Sequence, residues 1–421
     1  MLKEIKKPNR DHARRVLQCL VVAIRPLDVK ELAEVFAVDF DDAEGIPKLK
    51  KNWRWEDEEQ ALLTSCSSLI TIIKTGYSRI VQFSHFSVKE YLTSARLTTS
   101  IGDVSRFHID LEPAHTILAQ ACIGVLLHPD DGIEYDRIRK MSPLAGYAAR
   151  HWVAHAQFKR VSLSLRKAME YLFDVDKPYF AVWLELYDID TYPYPNEGTW
   201  TSSLHYFAVQ TKYSAIPLYY AALCGFEDLV EHLVVKYPQH VDSIGGYYVT
   251  PLVAAFAGRH FPTAKLLHHD GTDINVRGID GNTPLFSAAR YGDSEMVRVL
   301  LDYKADVNAR NENGWTPIHD VSAGTHNILH NIPQSRPDVT RLLLEHGADV
   351  DTLNMDYDYT PLHVAASNGR IDVVRVLLEH GANVGVEDNQ GRTTFQLASA
   401  NGNDEMMELL SEYPAKAVVE L

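Results

Sequence analysis

The chain has 421 residues, 46% of them hydrophobic and 23% charged, which excludes a disordered or collagen-like protein and predicts two to four domains or a repeat array. Its charge is uneven, because residues 1–100 carry a net charge of +2 and the remaining residues carry −17. We therefore do not expect the acidic part of the chain to bind nucleic acid, since its field repels phosphate.

The sequence indicates neither a membrane span nor an oxidising compartment. No apolar run approaches the roughly 18 residues that a membrane helix needs. The charged start of the chain, MLKEIKKPNRD, lacks the apolar core of a secretory signal. The cysteines are widely spaced and form no C-x-x-C motif, which predicts reduced thiols and a cytoplasmic protein. These cysteines are Cys19, Cys66, Cys122 and Cys224.

Residues 1–100 have the element order of a small winged-helix domain, with three helices, a β-hairpin and a further helix. Asp28 lies three residues before Glu31, which is the spacing of a capping box at the start of the second helix. Gly76 separates two β-rich runs and predicts the turn of the hairpin. The predicted elements are helices over 11–24, 29–38, 57–67 and 87–97 and strands over 69–74 and 79–85.

Residues 101–190 are predicted to form a helical connecting region, followed by a linker over 191–205. The proline and glycine residues of the segment DIDTYPYPNEG indicate the linker. The predicted helices cover 114–127, 144–158, 163–172 and 178–186.

Residues 206–421 contain about six internal repeats. The second residues of a recurring helix-opening tetrapeptide fall at positions 217, 251, 284, 317, 361 and 394, in steps of 34, 33, 33, 44 and 33 residues. This pattern resembles the ankyrin repeat, and the fifth copy, YTPLHVAASNGRIDVVRVLLEHGANV, follows it almost throughout. The resemblance implies a stack of helix pairs in which each repeat buries its core only against the next.

The chemistry of the fifth copy is structural. Thr360 can cap the first helix, Pro361 suits its first turn, and Gly369 can end it in the left-handed conformation. The resemblance implies that His319 and His363 form hydrogen bonds within the stack.

Three repeats depart from the pattern. Arg259 stands where the glycine after the first helix is expected. Repeat four is about ten residues longer than its neighbours, and the surplus lies near GTHNILHNIPQ between its two helices. Repeat six has Thr394 in place of the proline, and three glutamates predict that it is a polar terminal cap: Glu405, Glu408 and Glu412.

A second resemblance covers nearly the whole chain. The segments RDHARRVLQCLVVAIRPLDVKELAEVFAVDF, VQFSHFSVKEYLTS and YAARHWVAHAQF resemble the part of fungal NACHT–ankyrin proteins that follows the nucleotide-binding NACHT module. The resemblance implies that the chain contacts a NACHT module, either in the same chain or in trans. The phosphate loop G-x-x-x-x-G-K-[ST] and the lipase elbow G-x-S-x-G are both absent from the sequence, so we expect neither nucleotide binding nor hydrolase activity.

Candidate metal sites are weak. His151 and His155 are four residues apart, as are His326 and His330, but neither pair has a nearby third ligand. The acidic run from Asp39 to Gly45 lacks the glycine and glutamate positions of a calcium loop. We therefore expect no metal.

The sequence predicts a mainly α protein: a winged-helix-like domain with a small β-hairpin, a helical middle region and an ankyrin-repeat solenoid. Its predicted function is a non-catalytic protein–protein interaction module, the regulatory or sensor half of a NACHT–ankyrin receptor, with no cofactor. The alternative is a winged-helix regulator that binds nucleic acid, which the acidic opening of the third helix, Glu56–Glu59, argues against. We expect no enzyme activity.

The predicted partner-binding residues lie on the hairpin tips and on the adjoining ends of the first helices, which line the concave surface in the ankyrin family. Trp, Tyr and Arg are enriched in binding hot spots. The alternative is that the aromatic members only cover the hairpin backbone. The predicted set is Asp280, Asn282, Arg290, Tyr291, Asn313, Trp315, Tyr357, Tyr359, Asn368, Gln390 and Arg392.

Overall fold

The computed structural model describes residues 2, 5–40, 45–66, 68–76, 78–99, 103–128, 142–187, 189, 216–246, 250–269, 272–277, 281–324 and 336–413. These residues fall into two compact units, which are described separately. The first contains Met1–Tyr192 and Ile216–Pro238, and the second contains Gln239–Leu421. The predicted linker over 191–205 and the surplus of repeat four lie outside the described residues, except for Gly324.

The first unit begins with a winged-helix domain, as predicted. Asp28 and Glu31 form the expected capping box, in which the Asp28 side chain accepts from the N–H of Lys30 and Glu31 accepts from the N–H of Asp28. The elements in chain order are α1 (Arg10–Val22), β1 (Leu27–Asp28), α2 (Val29–Glu34), β2 (Val38–Asp39), β3 (Lys48–Leu49), α3 (Glu58–Cys66), β4 (Ile70–Thr75), β5 (Ser78–Phe83), α4 (Phe86–Thr93) and α5 (Ala95–Thr98).

The hairpin of β4 and β5 forms the wing, and its turn contains Gly76 at a φ of 60°. β1 adds a third antiparallel strand in the order β1-β5-β4, with Leu27 and Ile72 both opposite Val81. Leu27 and Val81 are buried in the core of the domain together with Leu17 of α1. β5 is therefore the central strand of the sheet, and its buried residue Val81 joins the sheet to the helical core.

The helix predicted over 87–97 is divided in two. Ser94 has an extended conformation, and its hydroxyl donates to the carbonyl of Tyr91 at 2.8 Å, which satisfies an acceptor at the end of α4. The chain then starts again as α5. The prediction of one continuous helix was wrong, because a serine that bonds to the preceding turn competes with helix continuation.

The helical connecting region shares its core with the first repeat. Trp152 is fully buried and lies 5.4 Å from Phe226, measured between ring centroids, and 5.2 Å from Trp183. The Gln157 side-chain amide donates to the carbonyl of Cys224 at 2.7 Å. The helices involved are α6 (Leu111–Leu126), α7 (Ala145–Ala156), α8 (Val161–Leu172), α9 (Tyr179–Leu186), α10 (Pro217–Leu223) and α11 (Glu227–Lys236).

All four cysteines of the chain lie in this first unit as buried free thiols. Burial raises the pKa of Cys19 and of Cys66 to about 12, and it also raises the pKa of Cys122 and Cys224. The thiolate is the reactive form of cysteine, so these side chains are chemically inert in the folded unit.

The second unit is an array of ankyrin repeats. From the third repeat onward, successive first helices pack against one another, and successive second helices do the same. The helix pairs are α12 (Pro251–Ala257) with α13 (Phe261–His269), α14 (Pro284–Tyr291) with α15 (Ser294–Asp302), α16 (Pro317–Ala323) with α17 (Arg336–Glu345), α18 (Pro361–Ser367) with α19 (Ile371–Glu379), and α20 (Thr394–Ala400) with α21 (Asp404–Ser411).

The residues of the repeat pattern have the structural roles predicted for them. The Thr360 hydroxyl accepts from the N–H of His363, and Gly369 follows α18 with a φ of 66°. Arg259 adopts the same left-handed conformation, at a φ of 60°, although it is not glycine. Its guanidinium group forms ion pairs with Asp293 and Glu295, which compensate part of the backbone cost.

Candidate protein-interaction surface

The hairpins that open repeats four, five and six are each stabilised by a side chain that accepts hydrogen bonds from its own turn. The Asn311 side-chain oxygen accepts from the N–H of Asn313 at 3.1 Å and from the N–H of Trp315 at 2.9 Å. Asp388 accepts in the same way from two N–H groups of its own hairpin. Asn and Asp favour such turns because their short side chains reach the backbone two residues ahead. The hairpin tips are therefore preformed.

The tip of repeat five, residues 354–359, is one residue longer than the tip before it. Five positions separate Asn311 from Thr316, whereas six separate Asn354 from Thr360. The Asn354 side-chain oxygen spans the longer turn by accepting from the N–H groups of Tyr357 at 3.2 Å and Tyr359 at 3.0 Å. We call residues 354–359 the repeat-five tip.

The repeat-five tip also has an unusual backbone. Gly314 and Gly391 occupy the left-handed region in the neighbouring tips, at φ values of 71° and 72°. The repeat-five tip has Asp358 in this conformation, at a φ of 53°. A residue with a Cβ atom adopts this conformation at a cost, which asparagine and aspartate tolerate better than most residues.

Hydrogen bonds connect each tip to the next. The N–H of Met355 donates to the carbonyl of Asn313 at 3.1 Å, and the N–H of Asn389 donates to the carbonyl of Tyr357 at 3.0 Å. The Asn389 side chain donates to the carbonyl of Asp356 at 3.2 Å. These bonds fix the tips of repeats four, five and six relative to one another.

Two predicted aromatic residues, Trp315 and Tyr359, take part in packing. Trp315 is half-buried, with its ring 5.6 Å from that of His319. The Tyr359 ring stacks on His363 at 5.5 Å, and its hydroxyl accepts from Arg392 at 3.0 Å. Each side chain therefore contributes to the fold whether or not it also contacts a partner.

His319 forms the hydrogen bonds expected within the stack, whereas His363 bonds through Nδ1 to Thr360 of its own repeat. His319 Nδ1 accepts from the N–H of Thr316 at 3.2 Å, and its Nε2 donates to the carbonyl of Tyr359 at 3.0 Å. Burial is the main cause that lowers the pKa of His319, to about 4, and it also lowers the pKa of His363. Both side chains are therefore neutral at physiological pH.

Two predicted arginines are neutralised by buried carboxylates. Arg290 pairs with Asp320 at 3.1 Å, and Arg392 pairs with Asp388 at 2.8 Å. Burial raises the pKa of Asp320 despite the pull of Arg290. Burial also acts to raise the pKa of Asp388, but hydrogen bonds from Arg392 outweigh it, so that this pKa lies below its ordinary value. Neither arginine therefore presents an uncompensated charge.

The remaining predicted residues differ in exposure. Asn282 is half-buried and accepts from the side chain of Asn311 at 2.9 Å. Exposed members of the set are Asn313, Tyr357, Asn368 and Gln390. Two members lie outside the description: Asp280, and the side chain of Tyr291.

Sequence reasoning missed the most exposed apolar residue near the predicted set. Met355 is 69% exposed, Tyr357 is 51% exposed and Leu353 is 40% exposed, so that apolar surface accumulates at and beside the repeat-five tip. The signal available in the sequence was the extra residue between Asn354 and Thr360, which makes this tip longer than its neighbours.

His155 belongs to a buried hydrogen-bonded cluster. Its Nδ1 lies 2.8 Å from Nδ1 of His115, and its Nε2 lies 2.8 Å from the hydroxyl of Tyr147. Burial lowers the pKa of His155 to about 3. Within the described ranges no group of three or more His, Cys, Asp or Glu side chains is arranged to hold a metal ion. His326 and His330 lie outside those ranges.

The charge of the second unit is strongly negative. Residues 239–421 contain 13 Lys and Arg against 25 Asp and Glu, a net charge of −12. The third helix of the winged-helix domain also begins with acids, Glu58 and Glu59, and Glu59 pairs with Arg79 of the wing. None of the helices in the described residues is long and apolar enough to cross a membrane.

Comparison with known families agrees with this architecture. Residues 252–352 and 329–420 match the family model for ankyrin repeats (3 copies), and residues 2–104 match the model for the winged helix domain of GPI inositol-deacylase. The chain therefore combines an N-terminal winged-helix domain with ankyrin repeats.

Individual relatives share parts of this chain. Azaphilone pigments biosynthesis cluster protein L of Monascus ruber is 31% identical over 63% of this chain and 56% of its own length. Ankyrin repeat protein nuc-2 of Neurospora crassa is 30% identical over 48% of this chain and 18% of its own length. Human ankyrin repeat and SOCS box protein 16 is 37% identical over 36% of this chain and 31% of its own length. The chain thus spans little more than half of the first relative and less of the others.

Proposed function

We propose that this chain is a non-catalytic protein-interaction module, the regulatory or sensor part of a NACHT–ankyrin receptor. The observation that carries the proposal is the row of preformed, hydrogen-bonded hairpin tips in repeats four to six, which expose the side chains of Asn313, Tyr357 and Gln390. A preformed surface binds a partner with little ordering cost.

The partner is a protein, and it binds on the concave face formed by the tips and the adjoining ends of the first helices. The exposed members of the predicted set, Asn313, Tyr357, Asn368 and Gln390, supply direct contacts. Trp315 and Tyr359 stabilise the tips by packing on the neutral side chains of His319 and His363, respectively.

The receptor assignment rests on domain order. A winged-helix domain, a helical region and ankyrin repeats follow one another as in the fungal NACHT–ankyrin proteins that the sequence resembles. On this proposal a NACHT module, in the same chain or on a separate one, is a second partner. We further propose that the chain has no enzyme activity and works in the cytoplasm, where its buried free cysteines stay reduced.

Nucleic acid is the weaker candidate partner. A winged helix commonly reads DNA through its third helix, and such contacts need positive charge. Here α3 begins with two glutamates.

Site-specific photocrosslinking tests the proposal. A photoreactive phenylalanine analogue replaces Gln390 at an exposed tip, and a control carries it at the exposed Glu379 on a second helix. After irradiation in the native cells, we expect a discrete protein adduct from the tip position that is absent from the control. Equal adducts at both positions, or none at either, would contradict the proposal.

A further inference from the structure

We propose that the repeat-five tip binds a basic side chain of the partner, an arginine or lysine that lies next to an apolar residue in the partner's sequence. This inference rests on the proposed function and specifies the chemistry of the partner segment. Three independent features of the tip support it: apolar exposure, an acidic pair and a conformation that other tips reserve for glycine.

The first feature is the concentration of apolar surface. Met355 and Tyr357 are 69% and 51% exposed, whereas the corresponding outer positions of the preceding tip are the polar residues Glu312 and Asn313. The following tip has Asn389 in the same region. An exposed aromatic and thioether pair on an otherwise polar edge is typical of a binding site, because methionine adapts its shape and tyrosine is a rigid anchor.

The second feature is uncompensated negative charge. Asp356 and Asp358 flank Tyr357, both are exposed, and neither forms an ion pair within the described part of the chain. Arg392, the cation bonded to Tyr359, is already paired with Asp388. A cation over the Tyr357 ring would gain from the ring face and from both carboxylates.

The third feature is backbone strain. Asp358 occupies the left-handed region at a φ of 53°, where Gly314 and Gly391 stand in the neighbouring tips. Strained non-glycine residues persist where the surrounding structure fixes them, and they cluster at ligand-binding sites. Unlike glycine, Asp358 supplies a carboxylate at this position that can contact a basic side chain.

The tip needs no rearrangement to bind. Asn354 accepts from the N–H groups of Tyr357 and Tyr359, and Asn389 bonds to the carbonyls of Tyr357 and Asp356. The ring and the two carboxylates are therefore held on a fixed backbone. The net charge of −12 over residues 239–421 adds a long-range field that attracts a basic segment and repels a phosphate surface.

A random peptide library displayed on phage, panned on the full chain, tests the inference. We expect selected peptides to be enriched in arginine or lysine next to an apolar residue. Synthetic copies of these peptides are then measured by fluorescence anisotropy against the chain and its variants at low and high salt.

Variants of the chain separate the contribution of the two carboxylates from that of the Tyr357 ring. Asp356→Asn with Asp358→Asn should weaken binding at least tenfold and reduce its salt dependence. Glu345→Gln with Glu379→Gln removes the same charge from exposed second-helix positions and should leave affinity within about twofold, because distant exposed charges are screened by salt. Tyr357→Ala should weaken binding at least tenfold, whereas Tyr357→Phe keeps the ring and should retain it.

The outcomes distinguish this inference from the proposed function. Selected peptides that are not basic, or that bind the tip variants as well as the original chain, overturn the inference and leave a protein-interaction role standing. A library that yields no peptide above background overturns the inference, and the photocrosslinking result then decides the proposed function independently.

Discussion

At the scale of single residues, buried neutral histidines make the repeats sensitive to acid. His319 is fully buried, and its two ring nitrogens are engaged by Thr316 and by the carbonyl of Tyr359. Protonation of Nδ1 would place its N–H opposite the N–H of Thr316, and this hydrogen bond would be lost. It would also place a positive charge in a buried site. The fold therefore stabilises the neutral form.

The stability of the second unit should fall as the pH drops from about 6.5 to about 4. The unfolded chain takes up a proton on His319 near pH 6.5, whereas the folded pKa is about 4, so acid favours the unfolded state by about 3 kcal/mol over this window. Urea unfolding at pH 7.5 and pH 4.5 measures the loss.

A matched variant isolates the contribution of His319. Repeat six has Gln396 at the histidine position, where its side-chain oxygen accepts from the N–H of Thr393 at 2.8 Å. His319→Gln should therefore keep the cap while removing the titration, and its stability should depend less on pH. An unchanged pH dependence would show that other groups cause the acid sensitivity.

The left-handed glycine of the repeat-four tip gives a second prediction. A Cβ atom on Gly314 would lie 3.0 Å from the backbone nitrogen of Met355 and would also meet its side chain. Gly314→Ala should destabilise the repeats by more than the roughly 1–2 kcal/mol that a left-handed alanine costs alone. Urea unfolding of the variant and of the original chain measures the difference in their free energies of unfolding.

Gly402 provides the control for this variant. It has a similar φ of 65°, but an added Cβ atom meets nothing within 4 Å. Gly402→Ala should therefore show only the conformational cost. Equal losses from the two variants would mean that the contact with Met355 relaxes freely.

At the scale of elements, repeat six covers the side of repeat five that would otherwise face solvent. Leu362 in α18 is fully buried, whereas Phe395, at the corresponding position of α20, is 44% exposed and no described repeat follows it. The outer face of α21 is polar, with Glu405 and Glu408 exposed. The role of repeat six as a polar terminal cap stays a prediction.

Deletion of residues 383–421 should therefore destabilise the array. Loss of α20 and α21 exposes the apolar face of repeat five, and each repeat depends on its neighbour for its core. We expect lower helicity per residue by circular dichroism, or aggregation in size-exclusion chromatography. A soluble monomer with unchanged helicity would contradict the capping role.

The elements that the sequence predicted well are those with strong local signals. The threonine–proline starts of the repeats and the Asp28–Glu31 capping box each specify a helix start from neighbouring residues alone. The short strand β1 could not be predicted in this way, because two residues carry no alternation and depend on pairing with distant β5. The greater length of the repeat-five tip could be read from the sequence as one extra residue, but the exposure of its apolar side chains could not be predicted without the fold.

At the scale of the whole molecule, the first repeat is energetically part of the first unit. Phe226 is buried against Trp152, so the repeat completes an aromatic core formed by the connecting helices. Sequence periodicity groups this repeat with the other repeats, because periodicity reports the local pattern and not the surface that a helix covers.

Phe226→Ala should therefore destabilise the first unit by about 3–5 kcal/mol, as large-to-small changes in aromatic cores do. Hydrogen exchange should show lost protection in α7 and α8 with little change in α18 and α19. Phe395→Ala, at an exposed site of the second unit, is the control and should leave α7 and α8 unaffected. Lost protection in α18 instead of α7 would contradict this assignment.

The distribution of cysteines gives the protein a built-in chemical reporter. All four thiols lie in the first unit, and residues 239–421 contain none. An alkylating reagent can therefore modify the chain only when the first unit opens, and the number of labels per molecule counts how much of its core has opened. Unfolding of the second unit exposes no cysteine, so alkylation does not detect it. A single cysteine introduced into the second unit would report its unfolding, because the native cysteines stay buried as long as the first unit is folded.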